Sequence, residues 1–478
     1  MAPTVRSFSA AFEPLLLIAQ YPDTYPGLLE SSAPTAKPGS SDPRVGGPYD
    51  ILPMSCGECL TLGADGRLSG PHAAGADGFL GALEAWWQAL RCSSRSVSLP
   101  FSGGWLLYLG YELSAEIEPS LNLPQSPDSV IALAIRTPAA WIRDRATQRT
   151  WLVAEPGSEA LLDTFDGHVR QLPKHPVTRP AAPNSSMVRG PTPPAARPAA
   201  AKNLDVLEED PARYLESVSR ALEYIAAGDV YQTNISRQWQ VRSALPLDPV
   251  SIYRRLRSTN PSPFAAMMRY GSFSLMSSSP ERLLSIRDGM ASTRPIAGTR
   301  PRGTSPERDA YLVKSLLNNE KERAEHVMLI DLERNDLGRV CVGGTIRVEE
   351  YMAVETYAHV HHIVSSVTGK LRADVSPIQV IRAMFPGGTI TGVPKVRCME
   401  IIAELEGEGR GAYTGSIGYL NRDGACDLNI LIRTLTAQDA SITFRAGAGI
   451  VADSSPAQEL AETRAKAKGM LHALRALS

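Results

Sequence analysis

Two pairs of glutamates stand three residues apart in separate parts of the chain: Glu322 with Glu325, and Glu459 with Glu462. On an α-helix such a spacing places both carboxylates on one face. A single pair is ordinarily a solvated charged stripe. Glu325, however, shares its face with apolar residues, and a buried carboxylate must be protonated, paired or bound to a metal. Two such helices facing each other would supply the oxygen ligands that Mg²⁺ prefers, so the pattern favours a magnesium clamp for an anionic substrate.

The second glutamate pair follows a helix-start signal. Ser455 has the position of an N-cap, and Pro456 would occupy the first helical position. The helix that begins there places Glu459, Glu462 and Lys466 on one face. The segment therefore predicts a C-terminal helix that presents two carboxylates and an amine together.

Two glycine-rich segments could bring backbone close to a ligand. Residues 385–395 lack the GxxxxGK[ST] spacing of a phosphate-binding loop, and residues 446–450 do not form a dinucleotide fingerprint. Their glycines would let amides approach a ligand or a neighbouring strand, and a tight turn explains them equally well. Arg433 lies in an apolar run, 428–435, that predicts a strand. A guanidinium there suits a substrate carboxylate, although a structural ion pair would also explain it.

The histidines and cysteines give weaker signals. His361 and His362 would point to opposite faces of a strand, which favours a single catalytic or core histidine over a metal site. Cys56 and Cys59 form a CxxC pair with no second pair at matching spacing, so we expect reduced thiols rather than zinc or a disulfide framework.

Composition restricts the class of protein. The 478 residues include 49 basic and 50 acidic side chains, for a net charge of -1. This balance argues against a partner that is nucleic acid or an anionic membrane. No apolar run approaches the roughly 18 residues of a membrane span, and the short run 15–19 is not a signal peptide. We therefore expect a soluble, cytoplasmic protein.

A Pro- and Ala-rich segment, 174–204, divides the chain and predicts a flexible linker. It separates an N-terminal α+β subdomain, 1–173, from a C-terminal domain, 205–478. Apolar periodicity predicts further elements. The predicted helices are 214–227 and 308–335, the second with a break, and the predicted strands are 105–109, 130–134, 428–435 and 441–445.

An ordered series of motifs spans residues 205–475, with weaker matches before the linker. It resembles the chorismate-binding enzymes, namely anthranilate synthase component I, aminodeoxychorismate synthase component I and the isochorismate or salicylate synthases. The resemblance implies an α+β fold like that of anthranilate synthase component I, with two large, mostly antiparallel sheets packed together and helices outside. The motifs are GDVYQTNI (228–235), SPER (279–282), RPIAGTRPR (294–302), AEH (324–326), DLERND (331–336), HHIVS (361–365), GGTITGVPK (387–395), GSIGY (415–419), IRT (432–434), GAGIVAD (447–453) and the final ExxExxxK.

The resemblance also implies roles for particular residues. Glu325 and Glu462 would hold Mg²⁺, with Glu459 and Glu322 supporting them, and the metal would bind the ring carboxylate of chorismate. Glu281 resembles the general acid that protonates the hydroxyl leaving carbon 4. Further residues would bind the substrate carboxylates and enolpyruvyl arm or belong to the catalytic set: Arg433, Tyr413, Gly447, Ala448, Gly449 and Lys466 for binding, and His362 and Thr391 for catalysis.

Two positions bear on which reaction of the family this chain would catalyse. Gln232 stands where the isochorismate-forming enzymes use a lysine to activate water, so the nucleophile here is expected to be ammonia. Ala297 stands in PIAGT where aminodeoxychorismate enzymes often carry a nucleophilic lysine, and this alanine is typical of anthranilate synthases. The loops 387–392 and 415–419 resemble the aminodeoxychorismate branch. We expect amination at carbon 4, for folate and p-aminobenzoate synthesis. The alternative is amination at carbon 2 with loss of pyruvate, in the tryptophan pathway.

The resemblance implies partners as well. No glutaminase segment is recognised, so ammonia is expected from a separate glutamine amidotransferase subunit or from free ammonium. Ser31, in the motif LLES at 28–31, resembles the tryptophan pocket of the family. A non-catalytic tryptophan-binding protein is the alternative from another class, and the retained acidic and basic site residues argue against it.

Overall fold

The computed structural model describes residues 2–32, 49–92, 98–173, 204–243, 247–357 and 360–475. The predicted linker therefore lies, apart from its last residue, outside the described residues. The strands are β1 (Thr4–Phe8), β2 (Gly27–Glu30), β3 (Tyr49–Met54), β4 (Cys59–Gly63), β5 (Leu68–Ser69), β6 (Gly104–Leu109), β7 (Val130–Thr137), β8 (Ala139–Asp144), β9 (Thr150–Ala154), β10 (Asp205–Glu208), β11 (Gln232–Arg242), β12 (Phe264–Tyr270), β13 (Phe273–Ser279), β14 (Arg282–Arg287), β15 (Met290–Arg294), β16 (Ile296–Pro301), β17 (Arg347–Thr356), β18 (Val360–Lys370), β19 (Gly392–Val393), β20 (Ser416–Asn421), β21 (Cys426–Asn429), β22 (Thr434–Gln438) and β23 (Ser441–Ile450). The helices are α1 (Pro14–Gln20), α2 (Gly78–Leu90), α3 (Ser114–Ile117), α4 (Ala160–Gln171), α5 (Pro211–Ala227), α6 (Pro249–Thr259), α7 (Pro306–Leu317), α8 (Glu320–Gly338), α9 (Pro377–Met384), α10 (Lys395–Glu406) and α11 (Pro456–Arg475), with 3₁₀ turns at Tyr111–Leu113 and Gly388–Ile390.

These strands form two large sheets. Sheet A has twelve strands in the order β1-β9-β8-β3-β2-β12-β13-β22-β23-β11-β10, with β19 paired to β11. Sheet B has eleven, in the order β16-β18-β15-β14-β21-β20-β6-β7-β4-β5, with β17 paired to β18. Neighbouring strands run antiparallel throughout the pairings described, as for β11 with β23 and β6 with β20. The predicted α+β class with two antiparallel sheets is confirmed.

The two sheets pack face to face through a shared apolar layer. Leu106 and Leu133 of sheet B lie in one buried cluster with Met268 and Leu275 of sheet A. Alternate residues of a strand point to opposite faces, so each sheet turns one apolar face toward the other. Burying these side chains contributes roughly 1.5–3 kcal/mol each, which makes this layer a major source of stability.

Both sequence portions contribute strands to both sheets. In sheet A, β2 pairs with β12, and in sheet B, β6 pairs with β20. The division of the chain into 1–173 and 205–478 stays a prediction. The two portions do not form separate sheets, because each of them contributes strands to both. The functional consequence is that the N-terminal portion supports the strands of the C-terminal portion directly.

Local sequence signals located several helices correctly. The predicted helix 214–227 lies within α5, and α11 begins at Pro456 as predicted. The expected break in 308–335 falls between α7 and α8, where the Asn319 side chain accepts a hydrogen bond from the Glu322 backbone and caps α8. These signals depend only on residues within one turn of each other, which is why sequence alone located them.

The predicted strand 428–435 is wrong. The chain leaves sheet B at the end of β21 (Asn429) and enters sheet A at the start of β22 (Thr434). Between them Arg433 has a positive φ of 53°, which no strand adopts. An apolar run is equally compatible with one buried strand and with a buried crossing between two sheets, so the pattern could not distinguish them.

Two other expectations concern the chain as a whole. The structure has no disulfide among its six cysteines, all of which are described. The expectation that Cys56 and Cys59 bind no zinc stays a prediction. Among the described helices, none combines the length and the apolar character that crossing a membrane requires.

A buried ion cluster joins α10 to sheet A. Arg410 Nη2 donates to Glu406 Oε1 at 2.6 Å, and Arg445 Nη2 donates to Glu406 Oε2 at 3.1 Å. The backbone N–H of Ser236, in β11, also donates to this carboxylate. Burial opposes the ionised form of Glu406, but the two guanidinium groups outweigh it and lower the pKa of Glu406. The cluster therefore holds a charged carboxylate between a helix end and two strands.

We predict that Glu406→Gln destabilises the protein by about 3–5 kcal/mol, because two buried guanidinium groups lose their counter-charge. Urea unfolding would measure the change in the free energy of unfolding. The matched control is Glu408→Gln, since Glu408 also lies near Arg445 but its side chain is 46% exposed. That exposed carboxylate should contribute no more than about 1 kcal/mol. Equal effects of the two substitutions would contradict the prediction.

Candidate active site

A cavity of about 810 Å³ lies where both sheets meet α8 and α11. Most of the residues that the sequence singled out line it, although they come from distant parts of the chain. The lining residues from that set are Gln232, Glu281, Ala297, Glu322, Glu325, His362, Tyr413, Arg433, Gly447, Gly449, Glu459, Glu462 and Lys466. The fold therefore brings acidic, basic and hydroxyl groups to one cavity large enough for a small molecule.

The two glutamate pairs face this cavity from α8 and α11. Arg300 Nη1 donates to Glu322 Oε1 at 2.6 Å, and Lys466 Nζ lies 2.8 Å from Glu462 Oε1. Gln232 Nε2 donates to Glu325 Oε1 at 3.3 Å. Cationic and amide donors thus partly offset the negative charge of the acidic wall.

The acidic wall has the chemistry of a partial magnesium site. Within the described part of the chain, no three His, Cys, Asp or Glu side chains lie close enough to hold a metal by themselves. Glu322 Oε2 is buried, and no described residue hydrogen-bonds to it. Mg²⁺ characteristically takes one or two carboxylates and completes its coordination with water and substrate oxygens. The residues present therefore fit a magnesium ion that a bound substrate helps to hold.

Glu281 is the carboxyl group best suited to move a proton. It lies in the turn between β13 and β14 and is almost fully buried. Burial raises the pKa of Glu281 to about 7, although a hydrogen bond from Thr389 and the charges of Lys466 and Arg433 act against this rise. Thr389 Oγ1 donates to Glu281 Oε1 at 2.8 Å. A carboxyl with a pKa near neutrality can serve as a general acid.

The sheet crossing fixes Glu281 and Arg433 relative to each other. The Ile430 backbone N–H donates to the Glu281 carbonyl at 3.0 Å, and the Ser278 N–H donates to the Arg433 carbonyl at 3.1 Å. Arg433 keeps a strained positive φ there, as residues at ligand-binding sites often do. Burial lowers the pKa of Arg433, and the charge of the nearby Glu281 carboxyl acts against this. A buried guanidinium group in such a cavity wall suits a carboxylate ligand.

The glycine-rich residues 446–450 are the last residues of β23, so they form strand and not a turn. A Cβ on Gly447 would lie 2.7 Å from the Tyr413 hydroxyl, and a Cβ on Gly449 would overlap the Gln232 amide. Both glycines thus allow close approach of side chains at the cavity wall. Ala448 points the other way, into an apolar cluster beneath α5, so its side chain does not face the cavity.

His362 and Ala297 occupy the wall on β18 and β16. His362 Nδ1 lies 2.9 Å from Thr299 Oγ1, while its Nε2 is buried without a partner among the described residues. Burial lowers the pKa of His362 to about 3, so the ring is neutral near pH 7. Its neighbour His361 has a structural role, because Nε2 lies 2.9 Å from Asp309 Oδ1.

Thr391 does not face the cavity, which corrects its assignment to the catalytic set. Its hydroxyl donates to the Gly387 carbonyl at 2.9 Å, within its own loop. Thr389, which the sequence analysis missed, carries its hydroxyl into the cavity instead. The two threonines flank one residue of the same glycine loop, and nothing in the sequence tells which one turns inward.

Ser31 lies outside this cavity. It follows β2, whose residues Leu29 and Glu30 line a second, separate cavity of about 290 Å³ between the sheets. Phe264 and Tyr419 line that cavity as well, but Ser31 itself does not. The motif therefore marks the edge of the smaller cavity and is not a contact in the larger one.

Comparison with known proteins gives a consistent result. The model of the chorismate binding enzyme family matches residues 72–472. The aminodeoxychorismate synthase component 1 of Bacillus subtilis is 41% identical over 401 residues, which cover 83% of this chain and 82% of that protein. The anthranilate synthase component 1 of Synechocystis is 39% identical over 414 residues, 81% of this chain and 80% of that protein. Anthranilate synthase component I from Streptococcus pneumoniae superimposes with a TM-score of 0.75 at 30% identity, covering 88% of this chain and 92% of that structure.

The chain therefore belongs to the chorismate-binding enzyme family, and it is an enzyme that uses chorismate. Relatives named for two different reactions have nearly equal identity to it. Membership in the family is thus established without separating amination at carbon 4 from amination at carbon 2.

We predict that Thr389→Val raises the pKa of Glu281 further above its ordinary range, because the Thr389 hydrogen bond stabilises the ionised carboxylate. A ¹³C NMR titration of the side-chain carboxyls, assigned with Glu281→Gln, would measure it. Thr391→Val is the matched control, since that hydroxyl bonds only within its loop. An unchanged or lowered pKa of Glu281 in Thr389→Val would contradict the prediction.

Proposed function

We propose that this protein is a Mg²⁺-dependent aminodeoxychorismate synthase component I, which aminates chorismate at ring carbon 4 to give 4-amino-4-deoxychorismate. The observation that carries the proposal is the buried carboxyl of Glu281, in the same cavity as two acidic helices and the cations Arg433 and Lys466. The 41% identity to a relative named aminodeoxychorismate synthase component 1 supports it.

The residues of the cavity suit the groups of chorismate. Arg433 and Lys466 would hold its carboxylates, and the Tyr413 hydroxyl beside Gly447 would contact the enolpyruvyl arm. Glu325 and Glu462, supported by Glu322 and Glu459, would hold Mg²⁺. When bound, the ion would offset the negative charge of the ring carboxylate.

The amination exchanges a hydroxyl for an amino group. Glu281 donates its proton to the carbon 4 hydroxyl as the C–O bond breaks, so that the oxygen leaves as water. Ammonia forms the new C–N bond and gives up a proton, and Glu281 regains one. The methyl group of Ala297 cannot form a covalent adduct, so in this proposal ammonia adds directly to the ring.

Anthranilate synthesis is the second candidate reaction. It is favoured by Ala297, which excludes a lysine nucleophile at that position of the cavity wall. A relative with 39% identity is named anthranilate synthase component 1, and the structural neighbour carries the name component I of the same enzyme. We weigh this below the carbon 4 reaction because the glycine-loop motifs 387–392 and 415–419 resemble the aminodeoxychorismate branch.

Two partners belong to the proposal. A separate glutamine amidotransferase subunit would supply ammonia, in keeping with the word component in the relatives' names. Tryptophan would occupy the cavity of about 290 Å³ next to Ser31, because aromatic and apolar side chains line it together with the carboxylate of Glu30.

The test of the reaction is to incubate the chain with chorismate, ammonium and Mg²⁺ and to identify the product by mass spectrometry. We expect 4-amino-4-deoxychorismate without pyruvate, and a loss of kcat of at least about 10²-fold in Glu281→Gln. That variant should still bind chorismate, since a neutral amide of the same shape remains. Formation of anthranilate and pyruvate would overturn the carbon 4 assignment, and no consumption of chorismate would favour the non-catalytic tryptophan-binding protein.

The metal assignment predicts that Glu325→Gln weakens Mg²⁺ binding at least about tenfold, because a carboxylate ligand becomes a neutral amide. Isothermal titration of Mg²⁺ with chorismate present, and without ammonium, would measure the affinity. Glu320→Gln is the control, because Glu320 is an exposed residue of the same helix. Equal Mg²⁺ affinities of the two variants would contradict the assignment.

A further inference from the structure

Residues 410–413 form a short segment between α10 and β20 that reaches the active-site cavity. Its last residue, Tyr413, lines the cavity and is 7% exposed. Its first residue, Arg410, donates through its guanidinium group to the carbonyl oxygens of Ile390 at 3.2 Å and Asn234 at 2.7 Å. Ile390 lies in the glycine loop and Asn234 on β11, and both line the cavity. The position of this segment therefore affects the cavity wall at several points.

Two buried carboxyl groups from the N-terminal portion of the chain hold the backbone of segment 410–413. Glu112 Oε1 accepts hydrogen bonds from the N–H groups of Arg410 at 2.6 Å and Gly411 at 3.1 Å. Asp128 Oδ2 accepts a hydrogen bond from the Ala412 N–H at 2.7 Å. Three consecutive N–H groups thus depend on acceptors that lie between 284 and 299 positions away in the chain.

The backbone conformation of the segment directs these N–H groups toward the two carboxyl groups. Gly411 has a positive φ of 58°, a conformation that favours glycine. Successive N–H groups in such a turn form a concave anion-binding site. The Gly411 carbonyl also accepts a hydrogen bond from the Tyr111 N–H at 2.8 Å. Since Glu112 is 8% and Asp128 is 6% exposed, little water competes for the N–H groups, and the carboxyl groups are their acceptors.

We propose that Glu112 and Asp128 are positioning residues for substrate binding: they accept hydrogen bonds from the N–H groups of residues 410–412 and thereby hold Tyr413 at the cavity wall. The inference rests on the proposed function, in which Tyr413 contacts chorismate. Neither carboxyl group is among the residues that line the cavity, so each acts through the segment. The N-terminal portion of the chain thus contributes to substrate binding without touching the substrate.

The first experiment tests the contacts themselves and needs no substrate. Hydrogen–deuterium exchange, detected by mass spectrometry at single-residue resolution, would be compared in the wild type, Glu112→Ala and Asp128→Ala. We expect faster exchange at Arg410 and Gly411 in Glu112→Ala and at Ala412 in Asp128→Ala, because an N–H group that loses its acceptor opens to solvent more easily. Unchanged exchange at these residues would overturn the proposal, whatever reaction the enzyme catalyses.

The second experiment measures the affinity for chorismate by isothermal titration, with Mg²⁺ and without ammonium. Glu112→Ala and Asp128→Ala should each weaken binding at least about fivefold, because Tyr413 is no longer held in one position. Glu112→Gln and Asp128→Asn should recover most of the affinity, since an amide oxygen still accepts the N–H hydrogen bonds. Alanine variants that bind as tightly as the wild type would contradict the proposal, as would amide variants that bind no better than the alanine variants.

A double-mutant cycle tests whether the effect passes through Tyr413. Asp128→Ala should weaken chorismate binding little further in a protein that already carries Tyr413→Ala, because residues that act through one contact are not additive. Additive losses would overturn this route. Where an alanine variant at either carboxyl position does not fold, Glu112→Asp or Asp128→Ser, each with a shorter acceptor, replaces it with the same expectation.

The matched control is Glu116→Ala. Glu116 also accepts two backbone hydrogen bonds, from the N–H groups of Phe79 at 2.7 Å and Leu80 at 2.8 Å, but these lie at the start of α2 and none of the three residues lines the cavity. Its loss should leave the affinity for chorismate unchanged even if the free energy of unfolding falls. An equal loss of affinity in Glu116→Ala and Asp128→Ala would show a general loss of stability and overturn the positioning role. A wild-type protein that does not bind chorismate would refute the proposed function, and the exchange pattern would still decide whether the two carboxyl groups hold the segment.

Discussion

The cost of burying charge determines how the active-site cavity is arranged. Five carboxyl groups and several cations share its walls. Glu322 pairs with Arg300, and Glu462 pairs with Lys466 where both side chains are about half exposed. Burial raises the pKa of Glu281 to about 7. Acidic and basic side chains thus face each other across one cavity, and a ligand with groups of both signs would match them.

The placement depends on the crossing between the two sheets. The chain passes from β21 to β22 through four residues, and in doing so it places Arg433 beside the turn that carries Glu281. The glycine loop 387–395 closes over the same region, with Thr389 on Glu281 and Lys395 on Asp336. A backbone held by hydrogen bonds from two sheets moves little, which is what proton transfer over hydrogen-bond distances requires.

Sequence reasoning succeeded where the signal was local or repeated. The start of α11 at Pro456 and the break before α8 follow from capping residues, and the i, i+3 spacing of the glutamates placed both pairs on the cavity side of their helices. Sequence reasoning failed where contacts with residues distant in the chain determine the local conformation. The apolar residues around Arg433 predict an ordinary strand, because a buried crossing between two sheets has the same apolar pattern as a buried strand. Thr389 and Thr391 are equivalent in pattern, and only the packing of the loop on α8 turns one of them toward Glu281.

The sequence by itself determined the family, the class of fold and the residue types available for chemistry, because these follow from ordered motifs and from the periodicity of apolar and charged residues. Only the tertiary structure decided which of those residues meet and which state of ionisation each adopts. The glutamates of α8 and α11 are more than 130 positions apart in the chain, and the proton on Glu281 depends on how completely strands and a loop from elsewhere exclude water from it. Proximity and desolvation are properties of the packed chain, and no local pattern of residues encodes them.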